Sequence, residues 1–171
     1  MKNTFYIDAS IFTLLVISKL SSAFMNISPF IAIIIFSSYF INSKYLLLIM
    51  IFLSQAVSDF VYGIHITNLA VYMAYLIIVL FIYKLDVAFS FYNSIKLGLY
   101  TNFIFFIIAN MGHYLAFTYI YTFENFFTIY LNSMDFTFNL VVSTILFLII
   151  MHALLAISRK QLAKARSTKV S

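Results

Sequence analysis

The sequence predicts an all-α polytopic membrane protein, a bundle of six transmembrane helices, and three observations carry that reading. Hydrophobic residues make up 64% of the 171 positions and charged residues only 9%, with a mean hydropathy of +1.06. A soluble domain is about half apolar and a quarter charged, so this chain cannot hide its apolar surface in one aqueous core. The apolar residues also fall in continuous runs, without the period-two alternation of a strand. Finally, nearly all basic residues fall where a single topology places them on one side of the bilayer.

Each element follows from its run and its breaks. A bilayer core needs roughly 20 apolar residues per helix, fewer where protein shields the ends. The first helix spans about Ile7 to Phe24, interrupted only by Lys19. Asn26, Ser28 and Pro29 break it, and Pro29 suits the first turn of the next helix, a short one from Pro29 to Ile41. Asn42-Ser43-Lys44 turns the chain into a third helix, about Tyr45 to Val61, with Asp59 near its end. Gly63 and His65 lie in the next connection, and Leu69 to Tyr83 is the fourth helix, closed by Lys84 and Asp86. Residues 87 to 94 read as a loop or interfacial turn. The fifth helix spans about Ile95 to Leu115 and ends in the cluster Asn110, Gly112 and His113. From Thr118 to Asp135 aromatic and polar residues mix, as in an interfacial loop or short amphipathic helix. The sixth helix runs from about Phe136 to Ile157.

Orientation follows from charge. Arg159, Lys160, Lys164, Arg166 and Lys169 crowd a basic tail at 158–171, after a single transmembrane domain at 1–157. A cytoplasmic tail then puts Lys84, Lys96, Lys44 and Lys2 on the same side, leaving Lys19 as the one cation tending outward. Both termini are expected in the cytoplasm. Lys2, the first apolar run and Ser21-Ser22-Ala23 also outline a signal peptide, but Asp8 interrupts its start and the run continues to Met25. The tail is expected to meet anionic lipid headgroups rather than nucleic acid.

Composition also excludes. Cysteine is absent, which removes disulfides, thiolate metal sites and a cysteine nucleophile. No GxSxG, HExxH, glycine-rich phosphate loop or Walker sequence occurs, so no enzyme is expected. Aromatics reach 20% without a single Trp, a skew that fits an AT-rich coding bias better than a binding site. The Ala9-to-Thr13 spacing is one faint small-xxx-small pattern.

Charges inside membrane helices are costly and therefore functional candidates. Lys19 and Asp59 are expected at similar depth in the outer third, either as an ion pair or as ligands for a charged or zwitterionic solute. Asp59, His65, Asn110 and His113 can line one outward-facing polar pocket. His113 at a helix C-terminus is also a favoured place for a cation. No HxxxH or HxxE spacing supports a metal, and none is expected. Asn102 reads as an interhelical hydrogen-bond donor and His152 as an interfacial residue at the cytoplasmic end.

The motifs Asn26-Ile27-Ser28-Pro29, Ser58-Asp59-Phe60 with Gly63 and His65, Val71-Tyr72, and Thr101-Asn102 through Asn110 together resemble a family of small, uncharacterised bacterial membrane proteins. That family is similar to the substrate-binding (S) components of energy-coupling factor (ECF) vitamin transporters. The resemblance covers about Asn26 to Ile157. It implies a six-helix S-component-like bundle in the bacterial cytoplasmic membrane. It also implies a micronutrient bound at the outer face without a cofactor, and a membrane coupling subunit with ATPase subunits as partners. By position, Asp59, His65, Asn110 and His113 would hold the solute, with Lys19 as a fifth. Ala9 and Thr13 stand where S components commonly carry an alanine-xxx-alanine docking surface, and the 118–135 loop carries no vitamin-specific signature. A non-enzymatic envelope scaffold, similar to the rod-shape membrane protein MreD, would share the length, topology and basic tail.

Overall fold

The computed structural model describes residues 2–25, 28–117 and 121–167, with side chains described for 5–21, 28–117 and 121–161. Asn26, Ile27 and Lys169, and the side chains of Lys2, Ser22, Ala23, Lys164 and Arg166, lie outside that set. Seven helices follow one another: α1 (Lys2–Met25), α2 (Phe30–Ser38), α3 (Lys44–Tyr62), α4 (Asn68–Leu85), α5 (Phe91–Phe117), α6 (Phe123–Asn132) and α7 (Met134–Ser167). Among the described residues, α3, α4, α5 and the Met134–Gln161 part of α7 are long and apolar enough to cross a membrane. The described residues form helices and no strand, and four helices of this length and apolarity point to a membrane protein.

The short helix is the axis of the fold. α2 touches α1, α3, α4, α5 and α7, and Phe30, Ile31, Ala32, Ile34 and Ile35 are at most 1% exposed. Its nine residues rise only about 14 Å, half a bilayer core. A helix apolar on every face belongs inside a bundle, and the Ile-rich run 31–35 supplies such a face all round. Helices α1, α3, α4, α5 and α7 contribute Leu15, Leu47, Ile51, Ile78, Val79, Leu97 and Leu148 to the same core. Since lipid tails are as apolar as these side chains, close packing rather than water exclusion holds them together.

Caps place the breaks. Ser43 accepts from the Leu46 N–H at 3.3 Å to start α3, and Thr122 accepts from the Asn125 N–H at 3.2 Å to start α6. α3 ends at Gly63, whose φ of +101° suits a residue without Cβ, and its N–H donates to the Asp59 carbonyl at 2.9 Å. Asp86 closes α4 in the left-handed region at φ 42°, a conformation that Asp tolerates better than most residues.

Three sequence expectations need correction. Residues 91–94 are helical, because Ser90 caps α5: its hydroxyl accepts from the Asn93 N–H at 3.1 Å. α5 ends at Phe117 rather than at about Leu115. The last helix continues past Ile157 to Ser167, since Gln161, Leu162, Ala163 and Lys164 are good helix formers and no Gly or Pro intervenes. The 118–135 stretch holds α6, whose Tyr130 hydroxyl donates to the Ile107 carbonyl at 2.8 Å and fastens it to α5.

Candidate functional site

The sequence candidates divide among three places. Lys19, on α1, points its ammonium into the end of the bundle where α2 and α4 begin. Its Nζ donates to the Tyr75 hydroxyl at 2.6 Å and stands 4.4 Å from the Phe30 ring centroid and 4.7 Å from that of Tyr75. Those π-faces are negative and attract a cation, which offsets part of its lost hydration. Tyr75 is stacked at 29° on Phe105, with centroids 5.6 Å apart. A cavity of about 110 Å³ opens here, walled by Lys19, Ser28, Phe30, Tyr75, Phe105 and Phe136. Residues from α1, α2, α4, α5 and α7 thus converge on one space.

Asp59 lies beside this cavity rather than on its wall, 8% exposed. Gln55, one turn earlier on α3, donates through Nε2 to Oδ1 at 2.6 Å, and the Tyr72 hydroxyl of α4 donates to Oδ2 at 2.9 Å. The carboxylate acts through space on both Lys19 and Tyr75, so the two charges form one electrostatic unit. Holding Asp59 this way has a cost: Gln55 Oε1 is buried without a hydrogen-bond partner among the described residues. Such an orphan costs about 1–3 kcal/mol, set against a charge-assisted bond of similar worth.

Asn110 and His113 lie elsewhere, together, in a groove of about 250 Å³ that they share with Ile129, Asn132 and Ser133 of the α6 region. Asn110 donates back to the Phe106 carbonyl at 2.8 Å, a bond local to its own helix. His113 is exposed, its ring centroid 4.9 Å from that of Phe117 in the last turn of α5. His65 is exposed in the α3–α4 connection, where its carbonyl accepts from the Asn68 N–H at 2.9 Å. The structure therefore joins Lys19 with Asp59 and Asn110 with His113, and leaves His65 apart from both pairs. Among the described residues no three His, Cys, Asp or Glu converge.

Reading the sequence missed Gln55, Tyr72, Tyr75 and Phe30 as partners of the charges. The signal was present: Gln55 precedes Asp59 by four residues, and Tyr72 and Tyr75 are three apart, spacings that share a helix face. Two neighbouring expectations also change. Asn102 is fully buried, but its amide donates within α5 to the Gly98 carbonyl at 2.7 Å. Between helices it is the acceptor, from Thr144 of α7 at 3.5 Å. At the opposite end of the bundle, His152 Nε2 lies 2.9 Å from the Ser94 hydroxyl. Its ring is stacked on Phe89 at 4.8 Å and 11°, with Phe36 and Phe91 set edge-on. That histidine is packed into an aromatic cluster.

The chain belongs to a family of unknown function, DUF6580, which it matches over residues 1–166. No curated protein and no solved structure matches it.

Proposed function

We propose that this chain is a non-enzymatic, membrane-embedded solute-binding protein, the substrate-binding component of an ECF-type micronutrient uptake system. The observation that carries the reading is the Lys19 cavity: an ammonium aimed into an aromatic-walled space, with Asp59 held beside it by Gln55 and Tyr72. Ionisable groups at membrane depth are expensive and mark solute pathways by default. A protein needing only helix contacts has no use for a charge facing a void.

In this reading the chain crosses the bacterial cytoplasmic membrane six times with both termini inside. α1, α3, α4, α5 and α7 form full spans, and α2 is a short one shielded by its neighbours. α6 lies in the interface. The basic residues of the α7 tail follow the positive-inside rule, which turns the Lys19 cavity outward to meet solute. Uptake then requires a membrane coupling subunit and ATPase subunits, because this chain carries no nucleotide-binding motif.

The test is to purify the tagged protein from its own membranes in mild detergent and identify everything that accompanies it by mass spectrometry. A retained small molecule, or coupling and ATPase subunits, supports the proposal. Cell-wall synthesis proteins without any solute would replace it with the envelope-scaffold reading.

A further inference from the structure

We infer that the Lys19 cavity takes a compact, singly anionic solute, its carboxylate against Lys19 and a single ring between the aromatic walls. This deepens the solute-binding proposal and rests on it.

Charge comes first. The polar groups at the wall act as donors toward the cavity. Lys19 carries donors only, so the Tyr75 oxygen must accept its hydrogen bond at 2.6 Å, and the phenolic hydrogen remains to be given elsewhere. Ser28 accepts from the Phe30 N–H at 3.4 Å, again keeping its own hydrogen for another acceptor. α2 begins at the same wall, where Ser28 takes the Phe30 N–H and Pro29 adds no side-chain cap. The first N–H groups of a helix have no intrahelical partner and form its positive end. Asp59, beside the cavity but not on its wall, has an oxygen engaged by Gln55 and the other by Tyr72. The charged group on the wall itself is Lys19, so a solute cation touching the wall meets like charge, whereas an anion meets an ammonium, a phenol, a serine hydroxyl and a helix start.

Size and shape follow. An apolar cavity of roughly 150 Å³ holds benzene, so about 110 Å³ admits one ring only after a small side-chain shift. Phe136 can make that shift, being 52% exposed at the start of α7. The tilted Phe30–Tyr75 pair, 5.0 Å between centroids at 58°, and the stacked Phe105 present ring faces and edges that suit a flat partner. Fused ring systems exceed the space.

The probes are benzoate, benzylamine and naphthoate, titrated calorimetrically into the full chain in phosphatidylcholine nanodiscs. Benzoate is expected to bind saturably, benzylamine not at all, and naphthoate at least about tenfold more weakly than benzoate. Lys19→Met is expected to abolish the benzoate heat. The wild-type comparison of benzoate with benzylamine decides the sign of the charge even if that variant fails to fold. Benzylamine or naphthoate binding as tightly as benzoate overturns the inference. So does loss of benzoate binding in nanodiscs containing phosphatidylglycerol, which would assign the site to a lipid headgroup. Mass spectrometry of the native preparation separates the two claims. A retained cationic or multi-ring molecule overturns this inference and leaves solute binding standing. No retained molecule, no transport subunits and no benzoate binding removes both.

Discussion

The Lys19–Asp59 end and the Asn110–His113 groove treat polar residues in opposite ways. At the first, both charges are engaged by side chains from another turn or helix: Lys19 by Tyr75, Asp59 by Gln55 and Tyr72. At the second, Asn110 turns back onto its own helix and His113 stands exposed over Phe117. The difference is the solvent. A charge removed from water must find partners or lose several kcal/mol, so the buried end is constrained residue by residue. The groove is open around the exposed His113 and places little demand on its neighbours.

That contrast can be broken in a definite order. Asp59→Ala is expected to have the largest effect, about 3–5 kcal/mol lost in detergent unfolding. It strands the Lys19 charge and leaves the Gln55 amide and Tyr72 hydroxyl without their acceptor. Asp59→Asn, which keeps the shape but removes the countercharge of the Lys19 ammonium, is expected to weaken solute retention while still inserting. Unchanged retention would remove Asp59 from the site.

Gly112→Val comes next, at about 1–3 kcal/mol. A Cβ there would lie 2.0 Å from the Ala70 Cβ, so α4 and α5 must separate. The same substitution sharpens the comparison, because Gly112 neighbours His113 in sequence yet sits in a tight contact rather than in the groove. Tyr72→Phe removes one hydrogen bond to a charged group and is expected to cost about 1.5–3 kcal/mol. A shift no larger than that of an exposed substitution would show that Gln55 alone holds Asp59. His113→Ala is expected to stay within about 0.5 kcal/mol, as exposed positions do. A larger loss would mean that the groove is a constrained site after all.

Much of this architecture was legible in the chain. The helical class, the positions of α3 and α4, the turn at Asn42-Ser43 and the amphipathic character of α6 follow from apolar runs and capping residues. The start of α5 is harder to place: in sequence Phe91 and Tyr92 group with the surrounding Ser and Asn as an interfacial turn, whereas the Ser90 cap makes them the first turn of the helix. Lys19 and Asp59 stood out because a charge in an apolar run is conspicuous. Their partners did not, since Tyr75, Phe30 and Phe105 are three among 34 Phe and Tyr residues (21 Phe, 13 Tyr). In so aromatic a chain, composition says nothing about which rings matter.

Sequence by itself determined that the chain needs lipid and forms helices, because both follow from the number and local order of apolar residues. It also singled out Lys19 and Asp59, whose charges conflict with their surroundings in any helical arrangement. Only the tertiary structure decided that α2 is the axis of the bundle and that five candidates separate into three places. It likewise decided that Lys19 faces a cavity while Asp59 stands beside it. Those outcomes depend on which faces of distant helices meet, as Lys19 meets Tyr75 across 56 positions of chain. Local periodicity marks a face as apolar or polar, but the pairing of faces is chosen by shape and packing among all the helices at once.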